Sequence, residues 1–483
     1  MTQQAGPAAA HPKISVIIPV YNGGKDFVQC LRALAATTYP NYECIVVDDG
    51  STDGSPAAAQ AAGVRRLRLQ GRFGPAYARN RGAEAAAGEI LFFVDADVCV
   101  NPDTVGRVAQ TLSAHPEIDA LFGSYDDSPG AQNFMSQYKN LFHHFVHQTS
   151  SISATTFWSG CGAIRREVFR AMDGFDESYG RSSIEDIELG YRLKAAGHAI
   201  MLDKDIQVKH MKRWTLRGVV RSDIFDRGIP WTRLLLQDRG LPNDLNLKIS
   251  QRISVLLSYL LLAMVGLVVL YFQGLALLPV VGLLAITMIS YWYYDASARR
   301  RWLFLAGAVL LPLVCLAGLA SSRHMLLLLP FITSLAVITV SYQFTGLQIG
   351  RRPQFLLLMG VCGLIPIIAL FWRFPRWSVL PFLTAAALVL INFPFYRFFA
   401  QKRSWLFALR VLPFHLLYFL YSGIAFVCGV FVSVRGPARG DPAKGQATRI
   451  ADRGLRMADP PMADGGWRMA DCEMEKAPRK PHE

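Results

Sequence analysis

Apolar positions follow two regimes along this chain. Up to about residue 250 they come in short runs of strand or helix length, separated by stretches rich in Gly, Asp, Asn and Ser. Ile14 to Ile18 (ISVII) reads as a buried strand ending at Pro19. Lys25 to Ala36 carries Val28, Leu31 and Ala35 at helical spacing. Glu43 to Val47 (ECIVV) is a second buried strand, running into Asp48-Asp49-Gly50-Ser51. Val64 to Leu69 alternates like an edge strand, Ala76 to Ala87 is Ala-rich and helical, and Ile90 to Val94 (ILFFV) is another buried strand ending at Asp95-Ala96-Asp97. A short helix is predicted near Arg166 to Met172, and a further helix opens at Ser183. Strands alternating with helices predict a doubly wound α/β domain with a largely parallel sheet. Ligands of such sheets sit beyond the carboxyl ends of the strands, where both carboxylate clusters fall.

The second regime runs from about Ile253 to Val434. Seven apolar segments follow one another, at about 253–272, 275–294, 303–320, 325–345, 355–372, 378–396 and 406–433. Most reach the ~20 residues that cross a bilayer core. If the first domain is cytoplasmic, the even-numbered connections are cytoplasmic too. Those hold Arg299-Arg300-Arg301, Arg351-Arg352 and Arg397 with Lys402-Arg403, so the basic excess falls on the inner side. The last segment contains Arg410 and Pro413, and suits either one tilted helix or an interfacial piece plus a helix. Between the regimes, Thr215 to Gln237 interleaves Leu216, Val219, Ile224, Trp231 and Leu235 with Arg217, Arg221, Arg227 and Arg233. That pattern fits helices lying in a membrane interface. From Arg435 the tail is polar, with a ragged repeat (Met457-Ala-Asp, Met462-Ala-Asp, Met469-Ala-Asp), and reads as disordered.

Composition agrees with a globular half joined to a membrane half: 52% of the 483 residues are hydrophobic. The net charge of +14 would suit nucleic acid, but no nucleic-acid motif accompanies it and the cations sit beside apolar runs. Anionic lipid or a phosphate-bearing substrate is the better match. The eight Cys include no C-x-x-C pair and read as free thiols in a reducing compartment. Met1 to Pro12 lacks a charged-then-apolar signal pattern, so the first domain is expected in the cytoplasm, on a cell (inner) membrane.

Two carboxylates one residue apart at a strand end, Asp95 and Asp97, can place an oxygen on a hard divalent cation. Such an ion would neutralise a leaving diphosphate. Alone, the pattern equally suits a turn, as does Asp48-Asp49-Gly50. Asp186 and Glu185 lie three residues after Ser183 and Ser182, a capping pattern. A helix N-terminus would also hold Asp186 ionised as a general base.

The ordered set Ser15-Val16-Ile17-Ile18-Pro19-Val20-Tyr21-Asn22, Val46-Val47-Asp48-Asp49-Gly50-Ser51, Arg79-Asn80-Arg81-Gly82, Phe93-Val94-Asp95-Ala96-Asp97, Gly174-Phe175-Asp176-Glu177 and Glu185-Asp186-Ile187-Glu188-Leu189 resembles the family 2 inverting glycosyltransferases of GT-A fold. The resemblance covers about residues 13–235. Together with the two regimes of apolar positions, it divides the chain into a flexible N-terminus (1–12), a GT-A domain (13–214), interfacial helices (215–250), a transmembrane bundle of about seven helices (251–434) and a disordered tail (435–483). The resemblance implies that Pro19, Tyr21, Asn22 and Asp49 line a nucleoside pocket, Asp49 accepting from the base. Arg79, Asn80 and Glu185 should lie near nucleotide or sugar, and Asp95 and Asp97 should engage Mg²⁺ or Mn²⁺ and the diphosphate. Asp186 should deprotonate the acceptor.

One motif departs from the family. Processive members carry Q-x-x-R-W, where this chain reads His210-Met211-Lys212-Arg213-Trp214. Arg213 and Trp214 would still flank acceptor or diphosphate, and His210 is a further candidate for metal or phosphate. The expected activity is transfer of one sugar from a nucleotide donor, UDP-linked, to a lipid or lipid-linked acceptor. A processive synthase is the alternative, with His415, Tyr418 and Tyr421 as candidate channel residues. A transporter with a nucleotide-sensing domain would have no use for the base.

Overall fold

The computed structural model describes residues 11–238, 247–271 and 379–434. Its α/β part runs β1 (Ile14–Val20), α1 (Gly24–Ala35), β2 (Tyr42–Asp48), α2 (Ser55–Ala61), β3 (Arg65–Arg68), α3 (Pro75–Ala85), β4 (Ile90–Val94), β5 (Val98–Cys99), α4 (Thr104–Ala114), β6 (Ala120–Tyr125), α5 (Phe134–Thr149), β7 (Cys161–Arg165), α6 (Arg166–Ala171), α7 (Glu185–Ala195) and β8 (Ile200–His210). Among the described residues these strands form one sheet in the order β3-β2-β1-β4-β7-β6-β8-β5. The first half is Rossmann-like: β3, β2, β1 and β4 are parallel, with Ile14 opposite both Tyr42 and Ile90. β3 is the edge strand its alternation predicts.

The strands read as unbroken apolar runs because both sheet faces are covered. Val16, Ile18, Val46, Phe92 and Val94 pack under α1 and α4 on one face. Ile17, Ile45, Val47, Leu91 and Phe93 pack under α3 and α7 on the other. Side chains alternate faces along a strand, so a five-residue run serves both layers. Each such side chain, removed from water, stabilises the fold by about 1.5–3 kcal/mol.

The sheet is less parallel than expected. β7 runs antiparallel to both β4 and β6, and β5 antiparallel to β8. The cause is the path after α5. Ile152 and Ala154 pair with Leu202 and Ile200 near the start of β8, while Gly160 pairs with Asp95 at the far end of β4. The chain has thus already crossed to the carboxyl edge and must enter β7 from there.

Beyond the sheet, the basic segment folds as α8 (Leu216–Arg221), a π-helical turn (Ser222–Gly228) and α9 (Ile229–Asp238). Thr215 caps α8 by accepting from the Gly218 N–H at 3.1 Å. The described apolar helices are α10 (Ile249–Tyr271), α11 (Leu380–Ile391), α12 (Phe393–Lys402) and α13 (Trp405–Val434). Among the described residues two helices, α10 and α13, are long and apolar enough to cross a membrane, or three spans if α11 and α12 form one. The segment expected at 378–396 is bent by 59° between α11 and α12. Pro394 follows the break and donates no hydrogen bond, and the buried Asn392 amide donates to Leu388 O and Ser254 Oγ, both at 2.9 Å. The last segment is one helix despite Pro413. The segments at 275–294, 303–320, 325–345 and 355–372, the basic loops 299–301 and 351–352, and the tail from 435 lie outside the described residues.

The two halves share a core. Phe134, Tyr138 and Phe142 of α5 pack with Val219, Phe395, Phe399, Val411 and Phe414. Gly429 sits so close to α9 that a Cβ there would fall 2.5 Å from Thr232 Cβ. His415 is buried among Phe395, Phe419 and Phe142, with Tyr396 Oη 3.1 Å from its Nδ1. It therefore belongs to a packed aromatic cluster and not to an open channel wall.

Candidate active site

The carboxyl ends of β1, β2 and β4 carry the expected residues, and they form two groups. In the first, Asn22 adopts φ +51° and staples the β1 turn to the β2 turn. Its N–H donates to Ser51 Oγ at 3.0 Å, and its Oδ1 accepts from the Thr52 N–H at 2.8 Å. Tyr21, the residue after β1, is 40% exposed, and the Arg72 guanidinium lies 4.1 Å from its ring centroid. Asp49 is buried and accepts from the Phe73 and Gly74 N–H groups at 2.7 and 2.8 Å. Burial raises its pKa, and those two bonds counter the rise. Asp49 thus anchors the loop that presents Arg72, and a base contact would use its remaining lone pairs.

The second group centres on Arg79 of α3. Its guanidinium bridges Asp95 Oδ1 at 2.7 Å and Glu185 Oε1 at 2.8 Å. Arg79 and Glu185 side chains are 4% and 3% exposed, against 33% for Asp95. Arg79 is therefore an internal strut joining the β4 end to the α7 start. Its neighbour Asn80 braces the 175–177 loop, donating to Phe175 O and Glu177 Oε1 and accepting from the Phe175 N–H.

Asp186 follows Glu185 in the first turn of α7. The expected side-chain cap is absent: Ile184 precedes the helix, and Ser183 Oγ instead donates to Asp226 O at 2.8 Å. Asp186 Oδ2 accepts from both the N–H and the hydroxyl of Ser159, each at 3.1 Å. Burial raises the Asp186 pKa, the Glu185 charge adds to the rise, and Arg79 with the Ser159 N–H opposes it, leaving it at about 6. Asp97 is the opposite case. Burial pushes it up, but His210 and Lys212 beside it outweigh burial and hold it at about 2.

Asp97 Oδ2 lies 3.7 Å from His210 Nε2. These two side chains are the ones that would hold a divalent cation here. Among the described residues no three His, Cys, Asp or Glu side chains converge on one point, so substrate oxygens and water would have to complete the shell. Asp95 is engaged by Arg79 and stands apart from this pair. The His210 ring stacks on Tyr125 at 4.3 Å and 12°.

Trp214 is clamped to α5. Its N–H donates to Ser136 Oγ and its carbonyl accepts from Asn133 Nδ2, both at 2.7 Å. Lys212 Nζ lies 4.6 Å from its ring, and its buried indole N–H has no partner among the described residues. Arg213 is exposed. Ser159, Tyr125 and Arg72 join the site without any sequence signal, since each lies in a loop or strand with no motif of its own.

Comparison with known proteins places a Glycosyl transferase family 2 domain on residues 15–172. An uncharacterised glycosyltransferase of Escherichia coli K12, YibD, is 41% identical over 111 residues, covering 22% of this chain and 32% of that protein. Validoxylamine A glucosyltransferase of Streptomyces hygroscopicus subsp. jinggangensis is 28% identical over 236 residues, covering 41% and 55%. The chain thus spans about a third to a half of these relatives. Among solved structures, a Pyrobaculum calidifontis mannosyltransferase complexed with GDP-Man and Mn²⁺ aligns at TM-score 0.36 and 21% identity, covering 49% of this chain and 66% of that one. Staphylococcus aureus TarS 1-349 with UDP-GlcNAc aligns at TM-score 0.37 and 23% identity, covering 47% and 66%. The chain carries a family 2 glycosyltransferase domain.

Proposed function

We propose that the chain is a membrane-bound inverting glycosyltransferase that moves a sugar from a nucleotide-diphosphate donor, UDP-linked, to a lipid or lipid-linked acceptor. The observation that carries this reading is Asp186, a carboxylate poised near pKa 6 and fixed by Ser159, beside the Arg79 strut and the Asp97–His210 pair. The nucleoside would lie over Tyr21 and Arg72, on the loop that Asp49 holds. Asp186 takes the proton of the acceptor hydroxyl, whose oxygen attacks the anomeric carbon from the face opposite the diphosphate. The carbon–phosphate-oxygen bond breaks as the new bond forms, and the configuration inverts. Asp97 and His210 would hold Mg²⁺ or Mn²⁺, which when bound supplies positive charge against the leaving diphosphate. Arg79 holds Asp95 and Glu185 in place.

The apolar helices support a membrane setting. Lys402 pairs with Asp127 at 2.7 Å, and Arg403 donates to Asp127 O and to Gln137, so the basic turn between α12 and α13 rests on the catalytic domain. By the positive-inside bias this shared side is the cytoplasm.

The test is nucleoside diphosphate release and lipid labelling by the full chain in nanodiscs, comparing wild type with Asp186→Asn. Turnover should fall at least a hundredfold with donor affinity within threefold. Equal turnover by the variant would overturn the assignment. Long polymer released without added acceptor would replace single transfer by processive synthesis.

A further inference from the structure

We propose that Arg227, held by His143, forms a phosphate subsite on the membrane-facing side of the transfer site, taking a phosphate carried by one of the two substrates. The proposal rests on the transferase reading above for its place, and on the following geometry for its chemistry.

Arg227 is half-buried on the π-helical turn. Among the described residues its hydrogen-bond partner is His143, whose Nε2 accepts from Arg227 Nη1 at 3.1 Å, and no carboxylate pairs with it. The nearby carboxylates are occupied. Asp223 is held by Lys139 at 2.6 Å and by Tyr421 Oη at 2.7 Å, and Asp226 faces Arg181 at 3.7 Å. His143 offers no negative charge. Burial, with Lys139 and Arg227 beside it, pushes its pKa well below the usual range, so it stays a neutral acceptor. A guanidinium partly removed from water without a counter-ion is unfavourable until an anion arrives. Its planar fork matches phosphate oxygens.

Arg227 is linked through its neighbours to both Asp97 and the start of α7. His143 packs edge-on to Tyr125 at 5.9 Å, and Tyr125 stacks on His210, which faces Asp97. On the other side, the carbonyl of adjacent Asp226 accepts from Ser183, three residues before Asp186. α9 is tied to α7 by Trp231 Nε1 donating to Tyr191 Oη at 3.0 Å. The π turn fits one extra residue into the segment between the catalytic helix and α13, and such turns recur at functional sites. A phosphate on Arg227 would therefore lie on the apolar-helix side of the His143–Tyr125–His210 series that leads to Asp97. An acceptor lipid phosphate and the donor diphosphate share this chemistry.

Binding of dodecyl phosphate, of dodecanol as the neutral control, and of UDP with Mg²⁺ would be measured calorimetrically on the full chain in a neutral detergent. Arg227→Gln should weaken dodecyl phosphate at least tenfold, leave UDP within twofold, and not change dodecanol. Arg227→Lys, which keeps the charge, should recover part of the loss. A tenfold loss confined to UDP keeps the subsite and assigns it to the donor. Unchanged binding of both phosphates by Arg227→Gln, or a loss of both that Arg227→Lys does not restore, overturns the proposal. Neither probe needs sugar transfer. A chain that binds dodecyl phosphate through Arg227 yet transfers no sugar keeps the subsite and overturns the transferase reading.

Discussion

Ser159 holds Asp186 twice, donating to the same Oδ2 from its N–H and from its hydroxyl at 3.1 Å each. The residues are 27 positions apart, and the contact joins the approach to β7 to the first turn of α7. It orients the carboxylate that the proposed mechanism uses as base, and it opposes the rise in pKa that burial causes.

The pH dependence follows from that balance. With Asp186 at about 6, the base is ionised above that pH and protonated below it. kcat/KM should therefore fall about tenfold per unit as pH drops below 6. Ser159→Ala removes one donor that stabilises the charged form, so the acidic limb should move up. A hydrogen bond of about 1 kcal/mol corresponds to about 0.7 unit. A pH–rate profile of both proteins checks this; a limb that stays fixed or moves down contradicts it.

Arg79→Leu should be among the most damaging single changes in the domain. It leaves Glu185 buried without its cation and Asp95 without its partner. Loss of one member of a buried pair costs about 3–5 kcal/mol. The thermal midpoint in detergent should fall by several degrees and activity should vanish. Arg79→Lys keeps the charge but cannot fork, and should fall between.

Divalent cation dependence tests the Asp97–His210 pair. Excess chelator should abolish transfer, and Mg²⁺ or Mn²⁺ should restore it. Asp97→Asn should raise the cation concentration needed for half-activity at least tenfold, and His210→Gln by less. Full turnover in chelator removes the metal from the mechanism.

The Lys139–Asp223 pair should behave as a buried unit. Their side chains are 7% and 9% exposed. Asp223→Leu should destabilise the chain by about 3–5 kcal/mol by stranding Lys139. The double variant Lys139→Met with Asp223→Leu should recover most of that. Thermal unfolding of the four proteins in one detergent measures the coupling, and strictly additive losses would show that the pair is not coupled.

Much of the catalytic half was legible because its signals are local. ISVII, ECIVV and ILFFV became β1, β2 and β4, since a run that long and apolar needs two covered faces. Asp49, Asp95 and Asp97 stand just past the ends of β2 and β4, where the strand runs place them. What escaped is set by contacts distant in sequence. Nothing local says that β7 enters from the far edge, or that Ser159 reaches Asp186. Arg79 was expected beside the substrate, but only the folded chain brings Glu185 and Asp95 around it. The break at Asn392 does not stand out in the sequence because 378–396 is predominantly apolar and Pro394 lies near its end. The sequence from Thr215 to Gln237 reads as basic helices, but the π turn at Ser222–Gly228 depends on how α13 packs against it.

The aromatic core shared by α5, α12 and α13 has a practical consequence for anyone handling the enzyme. A fragment cut after residue 238 would keep the whole sheet and every candidate catalytic residue. It would also lay bare Phe134, Tyr138, Phe142 and Val219, buried in the intact chain. An uncovered apolar patch of that kind drives proteins onto bilayers, detergent micelles or one another. The isolated domain would therefore behave as a surfactant-seeking particle, and purification would have to carry the helices along with the catalyst.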